Sequence, residues 1–326
     1  MRIAVVGAGA LGCTYALKLA QVAQVVLVVR DLALAPKRIV AERANNNGPA
    51  IEGEAPRAVT TVPDDVDAVL VAVRVDQLDD ALLAALAASG PARRIVVMLT
   101  PLLPAIYERV VAHLGERLVV AIPGVVAYEP EHVIGAPNPS VRRLRYWTPK
   151  ASPTQLDARP AADERASMIG DLTQTLVAAG LPAEVKASVR TTNPATTIAF
   201  FPLLLGIQAA GGSIDRLLDD GALLRLSLDA AKETRALAKT VGELAGFAGL
   251  LLSFAGPFTV RAGLKLVRSR APESLVFLEK HFGGKLVGQN AAMLAAIFSL
   301  ARERGTSIAC LERLAQQAKV GEPRAT

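Results

Sequence analysis

Three glycines near the amino end are the residues of this chain best placed to do chemistry. Gly7, Gly9 and Gly12 stand at G-x-G-x-x-G spacing within Gly7-Ala8-Gly9-Ala10-Leu11-Gly12. An apolar run, Ile3 to Val6, precedes them, and Leu11, Tyr15 and Leu19 follow at helical spacing. Strand, glycine turn and helix in that order make an anion cradle. The first glycine permits a tight turn, the second lets a pyrophosphate approach the backbone, and the third lets helix and strand pack closely. The helix N-terminus adds free N–H groups and partial positive charge. The context, strand then helix then second strand, predicts a dinucleotide bound by Gly7, Ala8, Gly9, Ala10, Leu11 and Gly12.

The second strand, over 25–29, ends at Arg30, with Lys37 and Arg38 further on. A guanidinium can hold a 2′-phosphate by two parallel charge-assisted bonds, whereas a carboxylate would repel it. Arg30 therefore favours NADP(H) over NAD(H). Asp31 is the competing carboxylate that could take a ribose hydroxyl instead.

The elements that must position these residues alternate. Strands are expected at 2–6, 25–29, 68–73, 95–99 and 118–122, and helices at 10–21, 77–88, 103–113 and 163–179. Such alternation predicts an α/β fold with an N-terminal Rossmann-type, doubly wound parallel sheet. Val141 to Trp147 alternates partly, as an added strand would, and 150–160 reads as a polar loop. After Pro182 the pattern is helical, at 186–208, 213–242, 262–281 and 286–302. The expected division is an NADP-binding domain at 1–183 and an all-helical substrate or dimerisation domain at 184–326.

The 326 residues suffice for two such cores. The net charge of +6 suits anionic ligands, but no basic run is interleaved with aromatics, so a nucleic-acid partner is not expected. His113, His132 and His281 lack ligand spacing, so no metal is expected. No Ser–His or Cys–His nucleophile arrangement is legible. Cys13 and Cys310 lie far apart, Cys13 reading as a small buried hydrophobe. With no signal peptide legible, they point to a reducing cytoplasm. The uncharged stretch from Thr191 to Ile214 carries Asn193, Gln208 and glycines, and the run from Ala245 to Phe258 is shorter. A span needs about 20 apolar residues, so both read as buried helices.

The glycine motif with its Ala10-Leu11 pair, Arg30, and Arg74-Val75-Asp76-Gln77 together resemble the ketopantoate reductase (2-dehydropantoate 2-reductase) family. There the third element is Lys-x-x-Gln, after the fourth strand. The helical pattern at 210–237 behind Gly211-Gly212-Ser213, and Ala301 to Thr306, extend the resemblance over most of the chain. It implies NADP(H) on the glycine loop, the 2′-phosphate at Arg30, and Arg74 and Gln77 beside the cofactor. It also implies hydride delivery to a 2-keto carbon, with a Lys donating the proton and an Asn four residues on.

The resemblance departs at the chemical positions. Aligning Val189-Arg190 with the family's Ile-Arg pair sets Thr196 at the Lys position and Phe200 at the Asn position. Thr cannot act alone as the acid, and losing general acid catalysis costs about 10²–10⁴ in rate. Leu99-Thr100-Pro101 replaces Gln-Asn-Gly, which leaves Thr100 beside the nicotinamide. Ser274 to Glu279 is similar to the family's Ser-Ser-Met…Asp…Glu stretch, although an ungapped count carries the hydroxyl-binding Glu near Val287.

Replacement donors are Lys186 at the domain junction, Tyr128 with Glu129 beyond the strand over 118–122, Glu131-His132, and His281 beside Glu279 and Lys285. Gln289 and Asn290 could bind a substrate amide or carboxylate, or cap a helix. The leading expectation is an NADPH-dependent oxidoreductase, possessing a more apolar pocket for a carbonyl or imine substrate and forming a homodimer. The alternative is an NADP(H)-binding sensor or interaction protein without turnover. An opine-type dehydrogenase ranks last, since His281 has no evident Asp partner.

Overall fold

The computed structural model describes residues 1–44, 50–130, 140–149, 152–159, 163–244, 256–280 and 287–320. The chain divides into two compact units, Met1–Pro101 with Glu108–Arg190, and Leu102–Tyr107 with Thr191–Thr326. Glu131, His132, His281 and Lys285 lie outside the described residues.

In the first unit an eight-stranded sheet is built around β1 (Arg2–Val6). On one side lie β2 (Gln24–Val28) and, beyond a second sheet's β3 (Arg38–Arg43) and β4 (Ile51–Glu54) in sequence, β5 (Ala58–Val59). On the other side lie β6 (Ala68–Val71), β7 (Ile95–Met98) and β8 (Leu118–Ile122). These pair in parallel, and their residues read as apolar runs because both sheet faces are covered. The chain winds outward from β1 in both directions, which puts the topological switch point between β1 and β6. Helices α1 (Ala10–Leu19), α2 (Asp80–Ala88), α3 (Pro104–Leu114, of which Glu108 onward belongs to this unit) and α4 (Glu164–Ala178) alternate with the strands as the sequence pattern predicts.

Two features depart from expectation. First, β9 (Val126–Tyr128) and β10 (Val141–Trp147) join β3 and β4 in a separate four-stranded sheet, ordered β4-β3-β10-β9. Strand β10 runs parallel to β3, with Val141 opposite Arg38. Only β10 of this sheet was predicted. Pairing partners so distant in sequence leave no local periodic signal in β3, whose Ile39, Val40 and Ala41 are buried in succession. Second, strands do not end at Pro182. After β11 (Thr154–Asp157), which is antiparallel to β8, β12 (Ala183–Lys186) adds a parallel edge strand. The expected boundary at 183/184 falls at this strand, and the first unit continues to Arg190.

Among the described residues the second unit is helical. It contains most of α5 (Val189–Ala209), then α6 (Ile214–Asp219), α7 (Gly221–Ala238), α8 (Pro257–Arg270), α9 (Pro272–Lys280), α10 (Val287–Glu303) and α11 (Ala309–Gln317). Two long helices predicted from sequence are broken. Asp220 caps α7, accepting from the N–H groups of Ala222 and Leu223 at 3.0 and 2.9 Å. Pro272 ends α8 because the residue before proline is pushed out of the helical region. Helix α5 contains Pro194 and Pro202, and no helix among the described residues is long and apolar enough to cross a membrane.

The second unit's core holds buried polar groups whose bonds are internal. The Asn290 amide donates to Gln208, and Gln208 donates to the Ala318 carbonyl at 3.2 Å. Asn290, a candidate substrate ligand, thus ties α10 to α5.

Candidate functional site

The in-register row Val28, Val6, Val71, Met98 ends four adjacent parallel strands. Just past this row lie Arg30, Gly7, Arg74 and Thr100. The sequence-predicted cofactor residues of the first unit therefore gather along one edge of the sheet, at the carboxyl ends that border the ligand crevice in doubly wound folds.

The glycine loop shows a division of labour. Gly7 has φ +104°, and a Cβ there would lie 2.8 Å from the Ala72 carbonyl oxygen on the chain leaving β6. A Cβ on Gly12 would lie 1.9 Å from the Gly7 carbonyl oxygen, so α1 could not pack this closely on the turn with any side chain at that position. Gly9 is different: a Cβ there meets nothing within 4 Å. Gly9 is also the N-cap of α1, with no side-chain cap and no acidic residue in the first turn. Two glycines are closed by protein and the middle one faces open space at a helix N-terminus, a cradle that fits a pyrophosphate.

Arg30 reaches across the strand ends. Its Nη2 donates to the Gln77 carbonyl at 3.1 Å and to Asp79 Oδ2 at 3.2 Å. Asp31 is committed locally, accepting from Ala33 N–H at 2.9 Å as a turn cap. Arg74 makes a two-pronged bond to Asp76, at 2.9 and 2.8 Å, and its backbone N–H donates to the Gln77 side chain. The Thr100 hydroxyl donates to the Val73 carbonyl and is nearly buried. Arg74, Gln77 and Thr100 thus form the wall beside the strand ends, with local bonds of their own.

The residues named for proton transfer belong to different elements, two in each unit. Lys186 does not start a helix; it ends the edge strand β12, two strands outward from β8, or about 10 Å. Its ammonium pairs with Glu184 at 3.2 Å in solvent. Tyr128 ends β9 and is buried in the first unit. Thr196 and Phe200 sit one turn apart on α5, both half-buried. Glu279, at the end of α9, accepts from the Ile214 N–H at 2.8 Å and so caps α6. That bond gives the acid at this position a structural task.

Two residues that sequence reasoning passed over stand out. Asn193 is buried on α5 and accepts from the Thr197 hydroxyl at 3.4 Å, placing a polar side chain on the apolar helix just before Thr196. Arg142, on β10, donates to the Ala8 carbonyl of the glycine loop and pairs with Glu129. Its signal was available: alternation sets it on the same strand face as buried Leu144 and Tyr146. Among the described residues no cluster of His, Cys, Asp or Glu could hold a metal ion.

Residues 3–119 match the family model for ketopantoate reductase PanE/ApbA. No curated protein matches the sequence. The solved 2-dehydropantoate 2-reductase from Geobacter metallireducens GS-15 is 16% identical over 98% of this chain and 99% of its own, with a TM-score of 0.67. D-mandelate dehydrogenase, in a ternary structure with NADH and anilino(oxo)acetate, is 15% identical over 98% of this chain and 97% of its own, with a TM-score of 0.66. The dimeric ketopantoate reductase from Staphylococcus aureus is 12% identical over 98% of both chains, with a TM-score of 0.64. At such identities the structural likeness is one of fold. The chain thus resembles the ketopantoate reductase family in sequence over residues 3–119 and shares the fold of solved 2-dehydropantoate 2-reductases along nearly its whole length.

Proposed function

We propose that this protein is an NADP(H)-dependent oxidoreductase, acting on a carbonyl or imine carbon in a substrate less polar than ketopantoate. The observation that carries the reading is the contrast between Gly9 and its neighbours, since only Gly9 leaves room for a ligand against the backbone. The N–H groups of Gly9, Ala10 and Leu11 at the start of α1 would hold the pyrophosphate. Arg30 would hold the 2′-phosphate, a reading supported by the bond that Asp31 makes to the Ala33 N–H instead. When bound, the nicotinamide supplies the hydride.

The substrate reading rests on α5. Where a small polyhydroxy keto acid wants a Lys and an Asn, Thr196 and Phe200 supply one hydroxyl and an apolar ring. The Thr196 hydroxyl can orient a carbonyl oxygen, and Asn193 adds a polar group one turn below. A cytoplasmic homodimer is part of the same proposal, in keeping with Cys13 and Cys310 standing outside any disulfide.

A second reading, cofactor binding without turnover, is favoured by the local commitments of Lys186 and Glu279. One experiment separates them. Purified protein is titrated with NADPH and NADH by fluorescence, then NADPH oxidation is followed with ketopantoate, bulkier 2-keto acids, ketones and imines. Turnover of apolar substrates only supports the enzyme proposed. NADPH binding without turnover favours the second reading, and ketopantoate turnover contradicts the altered pocket. Absence of nucleotide binding overturns both.

A further inference from the structure

The glycine loop is gripped from a part of the fold that the dinucleotide motif does not include. Along β10, Arg142, Leu144 and Tyr146 share one face, and Leu144 and Tyr146 are buried. Arg142 on that face has a side chain only 18% exposed. Glu129, the residue after β9, is 15% exposed and lies diagonally across the antiparallel pair, with its Oε1 3.5 Å from Arg142 Nε. Another nitrogen of the guanidinium, Nη1, donates to the carbonyl of Ala8. Ala8 is the residue between the tight-turn Gly7 and the open Gly9.

Withdrawing an ion pair from water is unfavourable, and a well-packed apolar pair of similar volume would do as well or better for stability alone. What the guanidinium adds is a fixed donor on one peptide group. The Ala8 carbonyl and the Gly9 N–H belong to the same planar trans unit, so they point in opposite directions. Anchoring the carbonyl therefore aims the Gly9 N–H. The Cys13 thiol lies 3.4 Å from the same oxygen, so this carbonyl faces the body of α1 and not the open side of the loop.

We infer that Arg142, oriented by Glu129, is a positioning residue for the pyrophosphate of the dinucleotide: it locks the Ala8–Gly9 peptide with its N–H toward the open cradle. The inference rests on the dinucleotide reading above and adds a determinant of cofactor affinity from the second sheet. Arg142 does not itself touch the phosphates in this role.

The test measures dissociation constants for NADPH and for adenosine 2′-monophosphate, which carries the 2′-phosphate but no pyrophosphate. Wild type, Arg142→Met and Arg142→Lys are compared, with unfolding midpoints recorded without ligand. NADPH binding weakens tenfold or more in Arg142→Met, binding of adenosine 2′-monophosphate stays within twofold, and Arg142→Lys recovers part of the loss. If Arg142→Met does not fold, Arg142→Lys alone carries the comparison, with a smaller selective loss for NADPH. Unchanged NADPH affinity, or equal losses for both probes, overturns the positioning role while leaving the dinucleotide reading intact. A wild type that binds neither probe overturns both.

Discussion

Arg30 Nη2 lies 3.2 Å from Asp79 Oδ2, so the cation at the end of β2 is already paired with the residue that caps α2. Asp79 uses its other oxygen to accept from the Leu82 N–H at 2.8 Å. The pair is exposed, at 68% and 55%, and such pairs contribute about 0–1 kcal/mol. On the proposed NADP(H) reading, that is weak enough for a dianionic 2′-phosphate to displace Asp79, which would still compete.

Asp79→Asn keeps a good helix cap and removes the competing charge. NADPH affinity rises by about twofold to fivefold, as expected from losing a weak surface pair, with NADH affinity unchanged. Arg30→Ala does the reverse, weakening NADPH selectively. Fluorescence titration at constant salt checks both. Equal shifts for NADPH and NADH would contradict a 2′-phosphate role for Arg30.

Gly9 and Gly12 separate ligand space from packing space. Gly12→Ala drives a methyl into the Gly7 carbonyl oxygen, 1.9 Å away, and lowers stability by about 1–3 kcal/mol or more. Gly9→Ala meets open space and costs less than about 1 kcal/mol as a cap change. Denaturant unfolding therefore registers Gly12→Ala strongly and Gly9→Ala weakly, while NADPH titration registers the loss in Gly9→Ala.

Glu279 accepts the Ile214 N–H, so Glu279→Ala behaves as the loss of a helix cap. The expected cost is about 1 kcal/mol of unfolding free energy. For any substrate the protein turns over, kcat and KM remain near wild type at temperatures well below the unfolding midpoint. A rise in KM of tenfold or more without loss of stability would return Glu279 to substrate binding.

Lys18 on α1 is only 7% exposed, and burial followed by the nearby Arg43 charge pushes its pKa below the ordinary 10.5. The folded state then binds fewer protons than the unfolded state between the lowered value and 10.5, so stability rises with pH across that window. Below the lowered value both states are protonated and the contribution is absent. Lys18→Met removes this rise, which denaturant titrations at neutral pH and near pH 10.5 read directly.

Legibility followed the range of the interactions. The alternation of the parallel strands with their helices appears in the sequence because each apolar run and each helix face is local. Arg30, Gly7, Arg74 and Thr100 could be named because each follows directly on such a run. The cap that Glu279 makes is not legible because its partner, the backbone N–H of Ile214, lies 65 residues away. Lys186 was assigned to a helix start because Ala183 to Lys186 has no strand signature of its own and becomes a strand only by pairing with β11.

The sequence by itself determined the glycine turn between strand and helix, since glycine spacing, strand and helix are adjacent in the chain and act on each other directly. Only the tertiary structure decided what holds that loop and which charges are engaged elsewhere. The second sheet brings Arg142 to Ala8 across 134 residues, and Asp79 reaches Arg30 across 49. Contacts at such separations depend on long-range strand pairing and packing, for which local periodicity carries no signal.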